Sequence, residues 1–212
     1  MYLAKSPWWL KMLYPQMVWN KSRQEKTIYL TFDDGPIPKV TPWVLKTLKV
    51  YNAKATFFCI GDNIQKHPEI FAQLEADGHT IGNHTQNHLK GWAVADEIYL
   101  DNIKQCSKWM DSYLFRPPYG RIKRSQIREI QNSKFKTQNR DQAFKIIMWD
   151  VLSGDFDTQL SPEKCLQNVL KYTNNGSIIV FHDSLKAWER LAYVLPKALE
   201  FWQKEGYSFG VL

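Results

Sequence analysis

Residues 27–32 read TIYLTF, a β-branched and aromatic run that predicts a buried strand, and it stops abruptly at Asp33-Asp34-Gly35-Pro36. Residues 41–51 place Val44, Leu45 and Leu48 on one helical face, and 54–60 (KATFFCI) predict a second strand. A helix over 68–77 is opened by Pro68 and closed at Gly78. Strand 79–82 runs into Asn83-His84, and 96–113 predicts a helix with Asp96 as its N-cap. A short strand over 114–116, halted by two prolines, precedes a helix at 125–131, a strand at 145–149 (KIIMW) and a helix at 162–172. Strand 177–181 (SIIVF), helix 191–205 and strand 207–211 complete the chain, while the polar stretch 131–142 predicts an exposed excursion.

Strands alternating with helices in this way predict βα units on a parallel sheet. Six or seven units in 212 residues suit a small, complete or incomplete (β/α) barrel better than an open doubly wound sheet. No GxGxxG or GxxxxGK loop follows any strand, which removes support for nucleotide-binding versions of such folds.

Composition narrows the class further. With 44% hydrophobic and 23% charged residues the chain is globular and not disordered. Its formal charge of +7 favours anionic surroundings, yet the chain carries no nucleic-acid-binding motif. Cys59, Cys106 and Cys165 lie far apart with no CxxC pair, so buried free thiols are expected and no disulfide framework. The stretch 7–19, PWWLKMLYPQMVW, has a superficial likeness to a signal sequence, but Lys11 and two prolines interrupt it and it is too short to span a bilayer. We therefore expect no membrane span and, by default, a cytoplasmic or cytoplasmic-face protein. Residues 1–26 form an aromatic segment packing over one end of a domain at 27–212, with interfacial membrane docking as the alternative.

The polar residues that look out of place follow strands: Asp33 and Asp34, His84 and His88, Arg116, Asp150 and Asp155, His182 and Asp183. In a parallel barrel such positions converge on one mouth. His84 and His88, four apart, would share one face of a helical turn and suit one divalent metal, though such a pair also occurs as plain surface histidines. Two neutral histidines plus one carboxylate leave a coordination position open, as in catalytic zinc sites, and Asp34 is a suitable third ligand. DDG is also a good turn sequence in its own right. Arg116 can pair with Asp33 and keep it ionised, and His182 suits an acid that protonates a leaving nitrogen, unless it is a satisfied core residue.

Five segments, TIYLTFDDGP (27–36), HTQNH (84–88), RPPYG (116–120), WDVLSGDF (149–156) and IIVFHD (178–183), together resemble the motifs of the polysaccharide deacetylases, carbohydrate esterase family four. The resemblance covers residue 27 to the C-terminus. It implies a distorted (β/α)7 barrel of parallel strands and metal-dependent removal of N- or O-acetyl groups from sugars. By position it implies Asp33 as general base, Asp34, His84 and His88 as ligands of one divalent ion, Zn2+, and His182 as general acid. Arg116 orients Asp33, and the Tyr119 backbone N–H helps hold the oxyanion. The family's DxxDW is altered here, with Leu152 at the first carboxylate and Phe156 at the aromatic. Asp155 is therefore expected to support His182, with Asp150 and Asp183 as alternatives. Pro118, Tyr119, Trp92 and Trp188 are the expected substrate contacts.

The implied substrate is an N-acetylated amino-sugar polymer or oligosaccharide. Two alternatives stay open at this level: a deformylase or amide hydrolase on a small or lipid-linked sugar, and a catalytically weak carbohydrate-binding protein.

Overall fold

A computed structural model describes residues 3–132, 136–137 and 140–212. In chain order the elements are α1 (Trp8–Leu13), β1 (Thr27–Asp33), α2 (Val40–Val50), β2 (Thr56–Cys59), α3 (Gly61–Lys66), α4 (Pro68–Ala76), β3 (Thr80–Asn83), α5 (Asp96–Cys106), β4 (Leu114–Phe115) and α6 (Arg124–Gln131). There follow β5 (Lys136–Thr137), β6 (Arg140–Ala143), β7 (Lys145–Ile146), β8 (Val151–Leu152), α7 (Pro162–Tyr172), β9 (Ile178–His182), α8 (Trp188–Lys204) and β10 (Ser208–Gly210). The main sheet has the order β7-β4-β3-β2-β1-β9-β8, with β10 against β1, and all its pairings are parallel. This is the parallel βα sheet that the alternation of strands and helices predicts, curved as the distorted barrel that the motif likeness implies.

β1 explains why its run is apolar on both faces. Ile28, Leu30 and Phe32 point outward into the core shared with the helices, where they meet Val44 and Leu48 of α2 and Val194, Leu195 and Trp202 of α8. The other face belongs to the barrel interior, where Tyr29 packs with Phe58, Ile147, Ile178 and Trp149.

The sheet's two edges, β7 and β8, are near neighbours in sequence, and the amino-terminal segment fills the seam between them. Val18 bridges Ile147 in parallel, and Lys5 bridges Val151 antiparallel. Val18 N–H donates to Ile146 O (2.9 Å), Met148 N–H to Val18 O (2.8 Å) and Leu152 N–H to Ala4 O (2.8 Å). Strand edges that would otherwise be unpaired are thereby satisfied.

Several expected boundaries move. KIIMW is not one strand: pairing with β4 ends at Ile146, and the chain crosses the seam before β8. The helix expected over 96–113 ends at Cys106, and its N-cap is Ala95, so Asp96 is the first helical residue. Its carboxylate instead receives Gln126 Nε2 (3.1 Å) and lies 3.2 Å from Lys123 Nζ. α3 was not expected, being a single short turn of mixed polarity, and α8 begins earlier than predicted, at Trp188. Within 131–142, β5 and β6 pair as an antiparallel ribbon; residues 133–135 and 138–139, and the exposure expected for the stretch, lie outside what is described.

Asp150 was expected at the mouth with the other strand-end carboxylates. It precedes β8 and lies at the opposite, N-terminal edge of the sheet. There the buried carboxylate receives Lys5 Nζ (2.7 Å), Lys11 Nζ (2.5 Å), Arg23 Nη2 (2.9 Å) and the Ser177 hydroxyl (2.6 Å). Those donors hold it well below the usual carboxylate range against the opposing effect of burial.

Candidate active site

Asp33 is the last residue of β1 and is buried. Arg116 directly follows β4 and is wholly buried. Its Nη1 donates to Asp33 Oδ1 and Thr31 Oγ1 (both 2.7 Å), Nη2 to Met148 O (3.0 Å) and Nε to Ile147 O (3.2 Å), while the guanidinium lies over the Phe58 ring at 4.1 Å. A buried charge is tolerable when its donors are matched in this way. Burial pushes the Asp33 carboxyl up, but Arg116, then His84 and His182, outweigh it and hold Asp33 below its ordinary value. Asp33 is thus a buried, oriented carboxylate.

Asp34 leaves the strand in the left-handed region, at φ 86°. This left-handed turn, and not strand alternation, sets the direction of the Asp34 carboxylate relative to Asp33. Asp183 pins the turn: its Oδ1 accepts Gly35 N–H (3.0 Å) and its Oδ2 accepts the Thr41 hydroxyl (2.6 Å). A Cβ on Gly35 would lie 2.0 Å from Asp183 Oδ2, so the glycine is required by close approach. Burial, with Asp34 nearby, pushes Asp183 up to about 8 despite its donors.

His84 and His88 do converge, but not on a helical turn. They sit on an irregular loop after β3 in which Thr85 (φ 67°) and His88 (φ 59°) are left-handed. The loop is held by Asn83 Oδ1 accepting Thr85 N–H (2.8 Å) and Asn102 Oδ1 accepting Gln86 N–H (2.9 Å). His84 Nδ1 lies 2.8 Å from the Arg116 carbonyl, which can only accept, so Nδ1 carries the proton and Nε2 presents its lone pair. That Nε2 is 3.8 Å from Asp34 Oδ1, and His88 Nε2 is 3.3 Å from the same oxygen. Burial pushes His84 down to about 4 and lowers His88, keeping both imidazoles neutral near pH 7.

On the other side of Asp33 stands His182, the last residue of β9. Asp155 grips it twice: Oδ1 lies 2.7 Å from His182 Nδ1 and Oδ2 accepts the His182 backbone N–H at 2.8 Å. Burial disfavours the charged ring, but Asp155, followed by Asp34 and Asp33, pushes the imidazole up to about 9. Asp155, from the altered fourth motif, is thus the carboxylate that His182 meets, as expected, while Asp150 and Asp183 lie elsewhere. Phe156 meets the His182 ring edge-on at 5.0 Å.

Asp33, Asp34, His84, His88, Phe156 and His182 line one cleft of about 370 Å³ with Pro117, Tyr119, Gly120, Trp149, Leu152, Val180, Ser184 and Lys186, while Arg116, Asp155 and Asp183 stand behind it. Tyr119, left-handed at φ 60°, packs its ring against His88 at 4.6 Å. Gly120 (φ +63) approaches Trp149 so closely that a Cβ would sit 2.5 Å from the indole. Three expected substrate contacts are not in this lining: Trp92 stacks under Arg121 (4.5 Å), Trp188 meets Trp43 edge-on (5.1 Å), and Pro118 is buried. Trp149, Leu152, Phe156 and Lys186 were overlooked as lining residues. Trp149 opens the fourth motif, and the glycine of RPPYG was its one local signal, since only a glycine admits the ring so close.

A family model described as polysaccharide deacetylase matches residues 20–137. A peptidoglycan-N-acetylglucosamine deacetylase of Bacillus cereus is 35% identical over 199 residues, spanning 91% of this chain and 89% of that protein. The chain belongs to the polysaccharide deacetylase family. A chitooligosaccharide deacetylase of Azorhizobium caulinodans is 33% identical over 169 residues, covering 76% of each. The crystal structure of the Bc1960 peptidoglycan N-acetylglucosamine deacetylase, in complex with 4-naphthalen-1-yl-N-oxidanyl-benzamide, superposes with a TM-score of 0.84 at 28% identity over 98% of this chain and 95% of that one. A second family model, described as inactive STAND, overlaps at residues 100–206, a span that holds none of Asp33, Asp34, His84 and His88. In this deacetylase-family chain Asp33, Asp34, His84, His88, Arg116, Asp155 and His182 all stand at or just beyond the ends of β1, β3, β4, β8 and β9.

Proposed function

We propose that the chain hydrolyses the N-acetyl amide of N-acetylglucosamine units in an amino-sugar polymer or oligosaccharide, of the peptidoglycan or chitin type, with one divalent metal ion, Zn2+, held by Asp34, His84 and His88. The observation that carries this reading is Asp34 Oδ1, a buried carboxylate oxygen with no hydrogen-bond partner among the described residues, facing two neutral imidazoles. The three donor atoms lie within 4.8 Å of one another. An orphaned carboxylate oxygen is costly unless something cationic meets it, and this donor set suits zinc. Such an ion supplies Lewis-acid polarisation of the amide carbonyl and acidifies water.

The chain's own residues divide the proton transfers. Asp33, ionised and oriented by Arg116, accepts a proton from the attacking water. The Tyr119 backbone N–H is the donor for the oxygen that gains charge as the carbonyl is attacked. His182, held protonated by Asp155, gives its proton to the departing nitrogen, so the products are acetate and a free amine. Tyr119, Trp149 and Phe156 offer ring faces to a sugar, and Leu152 an apolar contact for the acetyl methyl.

The test is acetate release from N-acetylglucosamine oligomers, peptidoglycan and acetylated xylan by metal-stripped protein restored with Zn2+, beside Asp33→Asn. Zinc-dependent release from the first two substrates, lost in the variant, is expected. Release from xylan alone would reassign the enzyme to O-acetyl esters, and stoichiometric zinc without any release would overturn the hydrolytic reading.

A further inference from the structure

α1 is an amphipathic helix turned inside out. Leu10 packs against the core cluster that holds Met17, Trp19, Ile146 and Met148, and Lys11 reaches Asp150 and Asn20. The opposite stripe, at spacings i, i+1, i+4 and i+5, leaves Trp8 72%, Trp9 49%, Met12 70% and Leu13 54% exposed. No residue of the helix is buried. Four large apolar side chains on one exposed turn are unlike the scattered single hydrophobics of an ordinary surface.

Topology places this stripe at the end of the barrel away from the cleft. Asp150, which anchors α1, precedes β8; Asn174 and Asn175, beside Trp8 and Lys11 in the same groove, precede β9, and Tyr207 there precedes β10. The catalytic groups of the cleft, Asp33, Asp34, His84, His88 and His182, end or follow their strands instead. The same N-terminal edge is cationic: Lys5, Lys11 and Arg23 surround the single carboxylate of Asp150, and exposed Lys21, Lys26 and Lys171 lie over the rings of Tyr29, Tyr207 and Tyr172. Exposed acids in the same stretches are Glu25 and Glu205.

We infer that this face docks on an anionic phospholipid surface, with Trp8, Trp9, Met12 and Leu13 entering the interface and the flanking lysines and Arg23 meeting the headgroups. Indole and thioether side chains backed by cations are what the headgroup boundary accommodates, and a lone apolar stripe without cations would not select charge. Docked this way, the cleft opens away from the lipid. The inference rests on the α1 stripe and the cations around it, not on the cleft, and stands whether or not the hydrolytic reading does.

Sedimentation of the whole protein with phosphatidylcholine vesicles, and with vesicles also containing phosphatidylglycerol, tests it. Binding is expected to the second kind, to weaken with added salt, and to fall by at least about tenfold in Trp8→Ser/Trp9→Ser and in Lys21→Glu/Lys26→Glu. Both pairs are exposed and outside the Asp150 cluster, so unchanged thermal melting is the control for folding. Failure to sediment with either vesicle, binding indifferent to Trp8 and Trp9, or sedimentation velocity showing a dimer that Trp8→Ser/Trp9→Ser abolishes would each overturn it, the last by assigning the stripe to a second copy.

Discussion

Asp33 and His182 are register partners on the adjacent parallel strands β1 and β9. The Asp183 N–H donates to the Asp33 carbonyl at 3.0 Å, closing the ladder just beyond the pair. One strand pair therefore sets the separation of the proposed base and acid, and the strand spacing of about 4.8 Å leaves little freedom for either. What differs is the partner behind each: a guanidinium behind Asp33, a carboxylate behind His182. Opposite partners push the two groups toward opposite protonation states, which is the condition for a base and an acid to work side by side.

Asp33→Asn keeps the hydrogen bond geometry but removes the proton acceptor, so kcat should fall about 100- to 10,000-fold with the fold retained. Arg116→Met should differ, because it strands a buried carboxylate. Its denaturant midpoint should report a loss on the order of 3–5 kcal/mol.

The Asp155–His182 pair predicts a pH dependence. The folded imidazole sits at about 9 against an ordinary 6.5, so in metal-free protein its stabilisation is fully present below pH 6.5 and is lost as pH rises through 9. Asp155→Asn should flatten the fall of melting temperature over that window. In the zinc-restored enzyme the same variant should move the alkaline limb of the rate profile to lower pH, because His182 then loses its proton earlier.

Metal occupancy should track the Asp34 oxygen. Asp34→Ala and His88→Ala are expected to lose stoichiometric zinc by elemental analysis, whereas His182→Ala retains it. A zinc content unchanged in Asp34→Ala would remove Asp34 from the ligand set.

Trp149→Ala should raise KM for oligosaccharide about 3- to 10-fold with a smaller effect on kcat, the scale of one aromatic contact. Gly120→Ala should resemble it, because the added Cβ displaces the same ring. Steady-state kinetics on chitin oligomers of increasing length would separate the two parameters.

Asp150→Ala leaves three cations around an empty carboxylate position at the seam. A destabilisation of about 3–5 kcal/mol is expected in chemical denaturation, with kcat per folded molecule unchanged because Asp33, His182 and the Asp34–His84–His88 cluster lie at the other end of the sheet.

Individual residues show how far local pattern reaches. The sequence of β1 announces a strand buried on both faces, and the DDG that ends it announces a turn, so Asp33 and Asp34 are legible as strand-end carboxylates. His84 and His88 are legible as a pair, though their convergence depends on left-handed Thr85 and His88 and not on helical spacing. Strand-end position by itself does not say which of three aspartates serves His182; the likeness to the fourth motif singles out Asp155, and the structure places it there. Asp150, Asp155 and Asp183 are all near strands, yet one belongs to the opposite edge, one to the histidine and one to the Gly35 turn. Trp92 and Trp188 follow motif histidines in sequence, but neighbouring side chains, Arg121 and Trp43, occupy them.

By itself, then, the chain determined the βα alternation, the identity of the chemical groups and their placement at strand ends, because hydrophobic period and turn chemistry act over a few residues. Tertiary structure makes the pairings, both those that the motif likeness implied, Arg116 with Asp33 and Asp155 with His182, and those that nothing in the sequence marked as contacts, Trp149 with Gly120 and residues 4–20 with the edges at the barrel seam. Those depend on strand register and on backbone φ at single positions, where a shift of one residue turns a side chain to the other face, and no short-range pattern encodes them.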